Sequence, residues 1–461
     1  MTDRGSSSSL GRIAVIGFAA TGEAVSRVAL SHGASVVVIE DRPREDTEAR
    51  ARALGVELVI GPDEHRLREI IACCSLVVVS PGVPPSHPVY AFTPKDRLIS
   101  EIELASRLAR KPIIAITGTN GKTTVTTMVD QMMRNSKIRS TVAGNIGPTL
   151  IDAVERDDLD VIVAEVSSFQ LALTKRFHPH VATWLNFAED HLDWHASLDD
   201  YRSSKAKIFA NQDASDVAVV HREDPVIVGL ARASHARVVT FGREDADYQT
   251  IEDRFVGPGG RDLGAIGLLS RALPHDIDNA LAALASALEA GADVAGCQQA
   301  LRAATVLAHR VEHVGVISRV DFYDDSKATT PSAVIAALRS FPSSVLIAGG
   351  KNKGLDLSVI RDFVDAHRDH QIRAVVAIGE AAPEVLSIFA SGCEAVEATT
   401  MDDAVRLAYG YCQPEDVVLL SPGCASFDWY SSYQERGKDF VRAVRALGDA
   451  HGTANDRRGV C

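Results

Sequence analysis

Short apolar runs alternate along this chain with longer stretches in which apolar positions recur at helical spacing. The first pattern predicts buried strands and the second amphipathic helices. Strands are expected over residues 12–17, 36–39 and 76–79, then over 112–116, 161–165, 181–185 and 217–220. A last series covers 320–323, 345–348, 375–378 and 417–420, and helices are expected over 125–133 and 201–209. Strands alternating with helices in this way predict an α/β fold with mostly parallel, Rossmann-like sheets. The series divide into three expected domains, residues 1–108, 109–308 and 309–461. In such sheets the loops at the carboxyl ends of the strands face the ligand.

One of those loops carries the clearest chemistry. Strand 112–116 runs into Thr117-Gly118-Thr119-Asn120-Gly121-Lys122-Thr123-Thr124, and a helix follows. A glycine-rich turn between a strand and a helix N-terminus is a phosphate cradle, because backbone N–H groups and the helix dipole converge there. In that geometry Lys122 reaches the outer phosphates and the Thr123 hydroxyl can ligate Mg²⁺. The general P-loop pattern has glycine where this chain has Ile116, so the spelling is a shorter form of it. The alternative is an ordinary glycine turn capping a core helix.

Other loops add candidates. Glu165 ends an apolar strand downstream of the phosphate loop, where a Mg²⁺-binding carboxylate is expected. His191 sits in an acidic cluster, Glu189-Asp190-His191-Leu192-Asp193, and reads either as a ligand or as a structural histidine. Lys205 and Lys207 on helix 201–209 would ordinarily form a solvated face. Gly17 and Gly22 bracket the first strand–helix turn without the middle glycine of a dinucleotide fingerprint, so the signal for NAD is weak. That turn reads as a seat for a nucleotide or sugar diphosphate, or as a purely structural βα turn.

Composition narrows the class. At 461 residues the chain can form roughly two to four domains. With 46% apolar and 24% charged residues it reads as a soluble globular protein, and no apolar run is long enough to span a membrane. The net charge of −13 disfavours nucleic acid as a partner. Seven scattered cysteines without a C-x-x-C suit neither a zinc cage nor a disulfide framework, which points to a reducing, cytoplasmic compartment. Residues 1–11 are polar and serine-rich, unlike a secretory signal, and they and residues 449–461 are expected as floppy tails.

Seven motifs in order resemble the Mur ligase family, ATP-dependent amide ligases of peptidoglycan synthesis. They are GTNGKTT at 118–124, GNIG at 144–147, EVSSFQL at 165–171, N-x-x-EDHLD at 186–193, HR-x-E at 309–312, DSKAT at 325–329 and SPGCASFD at 421–428. Resemblance extends from about residue 12 to 447. DSKAT together with SPGCASFD looks like the D-glutamate-adding member, where diamino-acid-adding relatives tend to a histidine-bearing loop. The family implies a UDP-binding Rossmann-like domain, a central P-loop-type ATPase domain and a C-terminal Rossmann-like domain that closes over the site.

The resemblance also implies roles. The alanine carboxylate of UDP-N-acetylmuramoyl-L-alanine becomes an acyl phosphate, the amine of D-glutamate attacks it, and the tetrahedral intermediate expels phosphate. Lys122 and two Mg²⁺ ions offset the approaching anions, with Thr123, Glu165, His191 and a carbamylated Lys205 as metal ligands. Gly118, Thr119, Asn120, Gly121, Thr124, Asn279, Arg310 and Asp325 are implied for ATP, with Lys327 near the chemistry. The family's segment reads G-x-H-N-x-x-N, and here Asp276 replaces its first asparagine. Ala20, Thr21, Glu40, Asp41, Arg42, Ser80, Gly82, Asn145, Ser167 and Gln170 are implied for the UDP-substrate. Asp190, Thr329, Lys353, Ser426 and Tyr433 are implied for D-glutamate, and the family often has phenylalanine in place of Tyr433. The expected working form is a monomer. The rival readings are a ligase of the same superfamily adding another amino acid such as L-glutamate, a folylpolyglutamate-like ligase, a nucleotide-binding regulator without turnover, and an NAD oxidoreductase.

Overall fold

The computed structural model describes residues 10–456, apart from positions 306 and 368. The expected tails at residues 1–9 and 457–461 lie outside the described residues. The remainder of the C-terminal tail is a correction, because helix Tyr433–Asp456 runs through it. His451 continues that helix, donating from Nδ1 to the Leu447 carbonyl (3.0 Å) and placing its ring 4.9 Å from that of Tyr409.

By contact the chain forms two compact units. Residues up to Phe187, with Trp194–Leu268 and Asp278–Ala303, form one; Ala188–Asp193, Leu269–Ile277 and residues from Ala304 on form the other. In the first unit, β1 (Arg12–Ile16), β2 (Ser35–Glu40), β3 (Glu57–Ile60), β4 (Leu76–Val79) and β5 (Leu98–Ser100) pair in parallel, in the order β3-β2-β1-β4-β5. The order reverses at β1, so the exits of β1 and β4 flank a crevice of the kind that binds ligands in open α/β sheets.

A second parallel sheet follows. It contains β6 (Ile113–Thr117), β7 (Ser140–Gly144), β8 (Val161–Glu165), β9 (Val181–Trp184), β10 (Val217–His221) and β11 (Arg237–Phe241), in the order β11-β10-β9-β6-β8-β7. β6 and β8 are buried along their whole length. That is why they read as unbroken apolar runs rather than as alternating ones. One core cluster takes residues from both sheets, including Val15 and Val38 from the first and Ala115 and Ile162 from the second.

Helix Glu101–Leu108 ties those sheets together. Its Glu103 carboxylate, fully buried, accepts backbone N–H bonds from Lys175 (2.8 Å), Arg176 (2.9 Å) and Phe177 (3.0 Å) and pairs with Arg107 (2.8 Å). Glu101 accepts from the Ile151 N–H at 2.6 Å, and its burial pushes its pKa up to about 7. A small antiparallel sheet, β12 (Gln249–Ile251), β13 (Arg254–Gly257) and β14 (Arg261–Ala265), completes the unit. The apolar pattern did not predict it, since strands this short show too little periodicity.

The second unit is built on β15 (Glu312–Ile317), β16 (Val320–Asp324), β17 (Ser343–Gly349), β18 (Gln371–Ile378), β19 (Glu394–Glu397) and β20 (Val417–Gly423), in the order β15-β16-β20-β17-β18-β19. β15 pairs antiparallel with β16 and every other pairing is parallel, so this sheet is mixed. Two apolar clusters cover its faces. No helix of the described residues is long and apolar enough to cross a membrane.

Candidate active site

β6 ends at Thr117, and the helix Lys122–Asn135 begins four residues after Gly118. Gly121 turns the chain into that helix with a left-handed backbone (φ 83°), and a Cβ there would lie 2.5 Å from Asn279 Oδ1. The left-handed backbone favours glycine, and any larger residue would also displace the Asn279 side chain. The Lys122 ammonium folds back over the turn, donating to the carbonyls of Gly118 (2.8 Å) and Thr119 (2.9 Å). Lys205, fully buried, donates to the same Gly118 carbonyl (2.8 Å) and to Thr117 Oγ1 (3.4 Å), its Nζ lying 4.8 Å from the centre of the Tyr201 ring. Thr124 follows on the helix.

Glu165 closes the other side. Its carboxylate is buried at the end of β8, where it accepts from the Thr123 hydroxyl (2.9 Å) and the Asn145 amide (2.7 Å). A hydroxyl beside a buried carboxylate is a hard oxygen set of the kind that suits Mg²⁺. Lys205 and Lys207 correct the expectation of a solvated face. The short helix Leu198–Ala206 packs Lys205 inward, and Lys207 begins a 3₁₀ turn in which its half-buried ammonium donates to the Ala172 carbonyl. Burial lowers the pKa of Lys207.

Three neighbours escaped the sequence reading as site residues. Asn186 bonds the phosphate loop through its carboxamide. The Tyr201 hydroxyl lies 3.2 Å from Thr119 Oγ1. His195, fully buried, holds Ser168 Oγ (3.0 Å) through Nε2 and Asp200 (3.1 Å) through Nδ1. Of the three, Asn186 alone was marked in the sequence, by its place at a strand end and at the head of the motif at 186–193. Ser167 and Gln170 are engaged in a capping box on the helix Ser168–Ala172, with Gln170 Oε1 accepting from the Ser167 N–H at 2.9 Å.

The first turn is organised differently. Ala20 and Thr21 start the helix Ala20–Ser31, and a Cβ on Gly22 would lie 1.9 Å from the Gly17 carbonyl oxygen. Glu40 accepts the Phe18 N–H (2.7 Å) and the Arg42 N–H (2.9 Å). Asp41 pairs with His87 at 2.9 Å, while Ser80 Oγ donates to the Gly17 carbonyl at 3.3 Å. Arg42 and Gly82 are exposed.

In the second unit, Asp325 leaves β16 buried, accepting from Ser421 Oγ (2.8 Å) and the Val311 N–H (3.2 Å). Burial pushes its pKa up to about 7. Lys327 Nζ lies 4.1 Å from the centre of the Tyr433 ring, which stands nearly perpendicular to the His309 ring with centres 6.2 Å apart. His309 Nδ1 in turn contacts Asp324 at 2.6 Å. Arg436, which no motif had marked, is buried and donates to Ser326 Oγ (3.0 Å) and to the carbonyls of Ser326 (2.9 Å) and Cys424 (3.1 Å). It thereby joins the DSKAT and SPGCAS loops. Ser426 is buried, Thr329 half-buried and Lys353 exposed. Asp276 is held by Arg271 through two bonds of 2.7 Å, and Arg271 also donates to the Arg310 carbonyl (3.0 Å). A local arginine thus takes up the charge that replaces the family's asparagine. His191 has a left-handed backbone (φ 58°), and its Nε2 lies 3.3 Å from Asp190 Oδ2.

Comparison with known proteins places this arrangement. Residues 116–287 match the model of the Mur ligase middle domain, and residues 309–424 that of the Mur ligase, glutamate ligase domain. A protein of Desulfatibacillum aliphaticivorans named UDP-N-acetylmuramoylalanine--D-glutamate ligase is 39% identical over 449 residues, covering 95% of this chain and 98% of that relative. The chain belongs to the Mur ligase family. A second relative of this Mur ligase, from Geotalea uraniireducens and of the same name, is 38% identical over 456 residues, covering 96% of this chain and 98% of that relative. The fold is shared with the MurF ligase of Thermotoga maritima solved in complex with ADP, at a TM-score of 0.59 and 17% identity, covering 90% of this chain and 96% of that one.

Proposed function

We propose that this Mur ligase joins D-glutamate to UDP-N-acetylmuramoyl-L-alanine through an acyl phosphate, with cleavage of ATP to ADP and phosphate. The observation that carries the reading is the near-full-length identity to relatives of that name. The phosphate loop supports the ATP half of it.

In this reading residues 1–108 hold the UDP-substrate, 109–308 the ATP and 309–461 the amino acid, with the protein acting in the cytoplasm. Lys122 leaves the loop carbonyls and meets the outer phosphates, where two anions must approach each other. Thr123 and Glu165 would hold Mg²⁺, which supplies further positive charge to the transferring phosphoryl group. His191 and Lys205 are the remaining proposed ligands. Lys205 can serve only as a carbamate, because an ammonium has no lone pair to offer a cation. Asn279, Arg310 and Asp325 are the proposed nucleotide contacts outside the loop. Asp190, Thr329, Lys353, Ser426 and Tyr433 are proposed to orient D-glutamate, with Lys327 near the chemistry, and a neutral Asp325 can donate as well as accept.

The test is phosphate release with UDP-N-acetylmuramoyl-L-alanine against D-glutamate, L-glutamate, L-lysine and diaminopimelate. Only D-glutamate is expected to give stoichiometric ADP and phosphate. Equal turnover with L-glutamate would move the protein to another amino-acid specificity. In the same assay Lys205→Arg, which keeps the charge but cannot carry a carbamate, is expected to be inactive; an active protein would end the carbamate proposal.

A further inference from the structure

We infer that Asn186 is a positioning residue for nucleotide binding, its carboxamide setting the backbone of the phosphate loop. The inference rests on the reading of residues 118–124 as that loop. Asn186 stands just past the end of β9, the strand paired with β6. Its Oδ1 accepts the N–H groups of Thr119 (3.1 Å) and Asn120 (2.8 Å), and its Nδ2 donates to the Asn120 carbonyl (3.1 Å). Its own carbonyl accepts from Thr119 N–H (3.2 Å) and from Nε1 of the buried Trp184 (3.0 Å), which holds the residue in place.

The shortened loop needs such a brace. Ile116, standing where the general pattern has glycine, is fully buried in β6 opposite Glu165 on β8. The strand therefore continues to Thr117 and the turn must be made within Gly118–Gly121. A carboxamide can accept two N–H groups and donate to a carbonyl from one planar group. It does so without charge. A carboxylate at the same place would accept as well, but its charge would oppose a phosphate bound to the loop.

Charge separates this role from a merely structural one. ADP affinity, measured by titration calorimetry with Mg²⁺ present, is expected to fall about tenfold or more in Asn186→Ala. The KM for ATP should rise in parallel while the KM for the amino acid stays within about twofold. Asn186→Asp, isosteric with asparagine, is expected to bind ADP more weakly than the alanine variant. A structural brace predicts the opposite order, since aspartate keeps the shape and the acceptors. Unchanged ADP affinity in either folded variant, an aspartate variant milder than alanine, or equal rises in both KM values would overturn the inference. If Asn186→Ala does not fold, Asn186→Asp decides alone: at least a tenfold loss of ADP affinity supports the role, and a smaller one overturns it. Lys122→Ala, titrated alongside, separates the two readings. Should it bind ADP like wild type, the phosphate-loop reading fails; should it lose ADP while the Asn186 variants do not, only the positioning role fails.

Discussion

Two strand–helix turns in the first unit share a topology and differ in chemistry. Each leaves a parallel strand, passes a glycine and enters a helix, and in each a side chain beyond a neighbouring strand's end or at it takes up the turn's N–H groups. At the first turn that group is the Glu40 carboxylate on Phe18. At the second it is the Asn186 carboxamide on Thr119 and Asn120. The first turn is braced by an anion, which suits hydroxyl or N–H donors of a ligand better than phosphate oxygens. The second is braced by a neutral group and has the Lys122 ammonium on its Gly118 carbonyl, which suits a polyphosphate. Shared backbone geometry thus leaves the ligand class to side chains brought in from adjacent strands.

Removing the cation that most distinguishes the second turn should have the largest effect. Lys122→Ala is expected to lower kcat/KM by about a thousandfold or more, roughly 4 kcal/mol of transition-state stabilisation, with the fold intact by circular dichroism. Near-normal turnover would erase the chemical difference drawn between the turns.

The glycines sharpen the comparison at the level of stability. Gly22 is required by packing, since its Cβ would meet the Gly17 carbonyl oxygen at 1.9 Å. Gly22→Ala should therefore cost about 1–3 kcal/mol in denaturant unfolding. Gly121→Ala should instead act at the loop, through its left-handed backbone and the contact with Asn279, and impair ADP binding. An unchanged unfolding midpoint in Gly22→Ala would refute the close packing of that turn.

An effect confined to the alkaline side concerns the helix linking the two sheets. Burial raises the pKa of Glu101 from 4.5 to about 7, so folding favours its protonated form. That contribution is complete below about pH 4.5 and is lost as pH rises through 7. Glu101→Gln, which keeps the acceptor for Ile151 N–H, should match wild type near pH 4.5 and exceed it at pH 8 by on the order of 2–3 kcal/mol. Melting temperatures at the two pH values check this; a glutamine variant less stable at pH 8 would contradict it.

Every strand expected from the apolar runs is present, because a buried parallel strand declares itself through uninterrupted Val, Ile and Ala. The short antiparallel strands from Gln249 to Ala265 left no such trace. Lys122, Thr123 and Glu165 were legible from the strand–turn–helix pattern and Asn145 and Lys205 only through the family resemblance, and contacts around the β6 and β8 exits gather them. Arg436 and His195 were not legible, since a buried arginine or histidine within a helical or loop sequence looks like any surface residue.

The sequence by itself determined the α/β alternation, the strand–turn–helix that forms the phosphate loop and the order of motifs that marks the family. These are local properties, set by backbone preferences and by the periodicity of burial over neighbouring residues. Only the tertiary structure decided that Lys205 is buried against Gly118, that Asn186 braces Asn120, and that Arg271 takes up the charge of Asp276. It also decided that Glu103 holds the backbone of Lys175, Arg176 and Phe177. Most of those pairs lie far apart along the chain, and strand order brings them together: β6 lies between β8 and β9, so side chains from distant segments share one turn. Burial then makes each partner obligatory, because a polar group removed from water must find its hydrogen bonds within the protein.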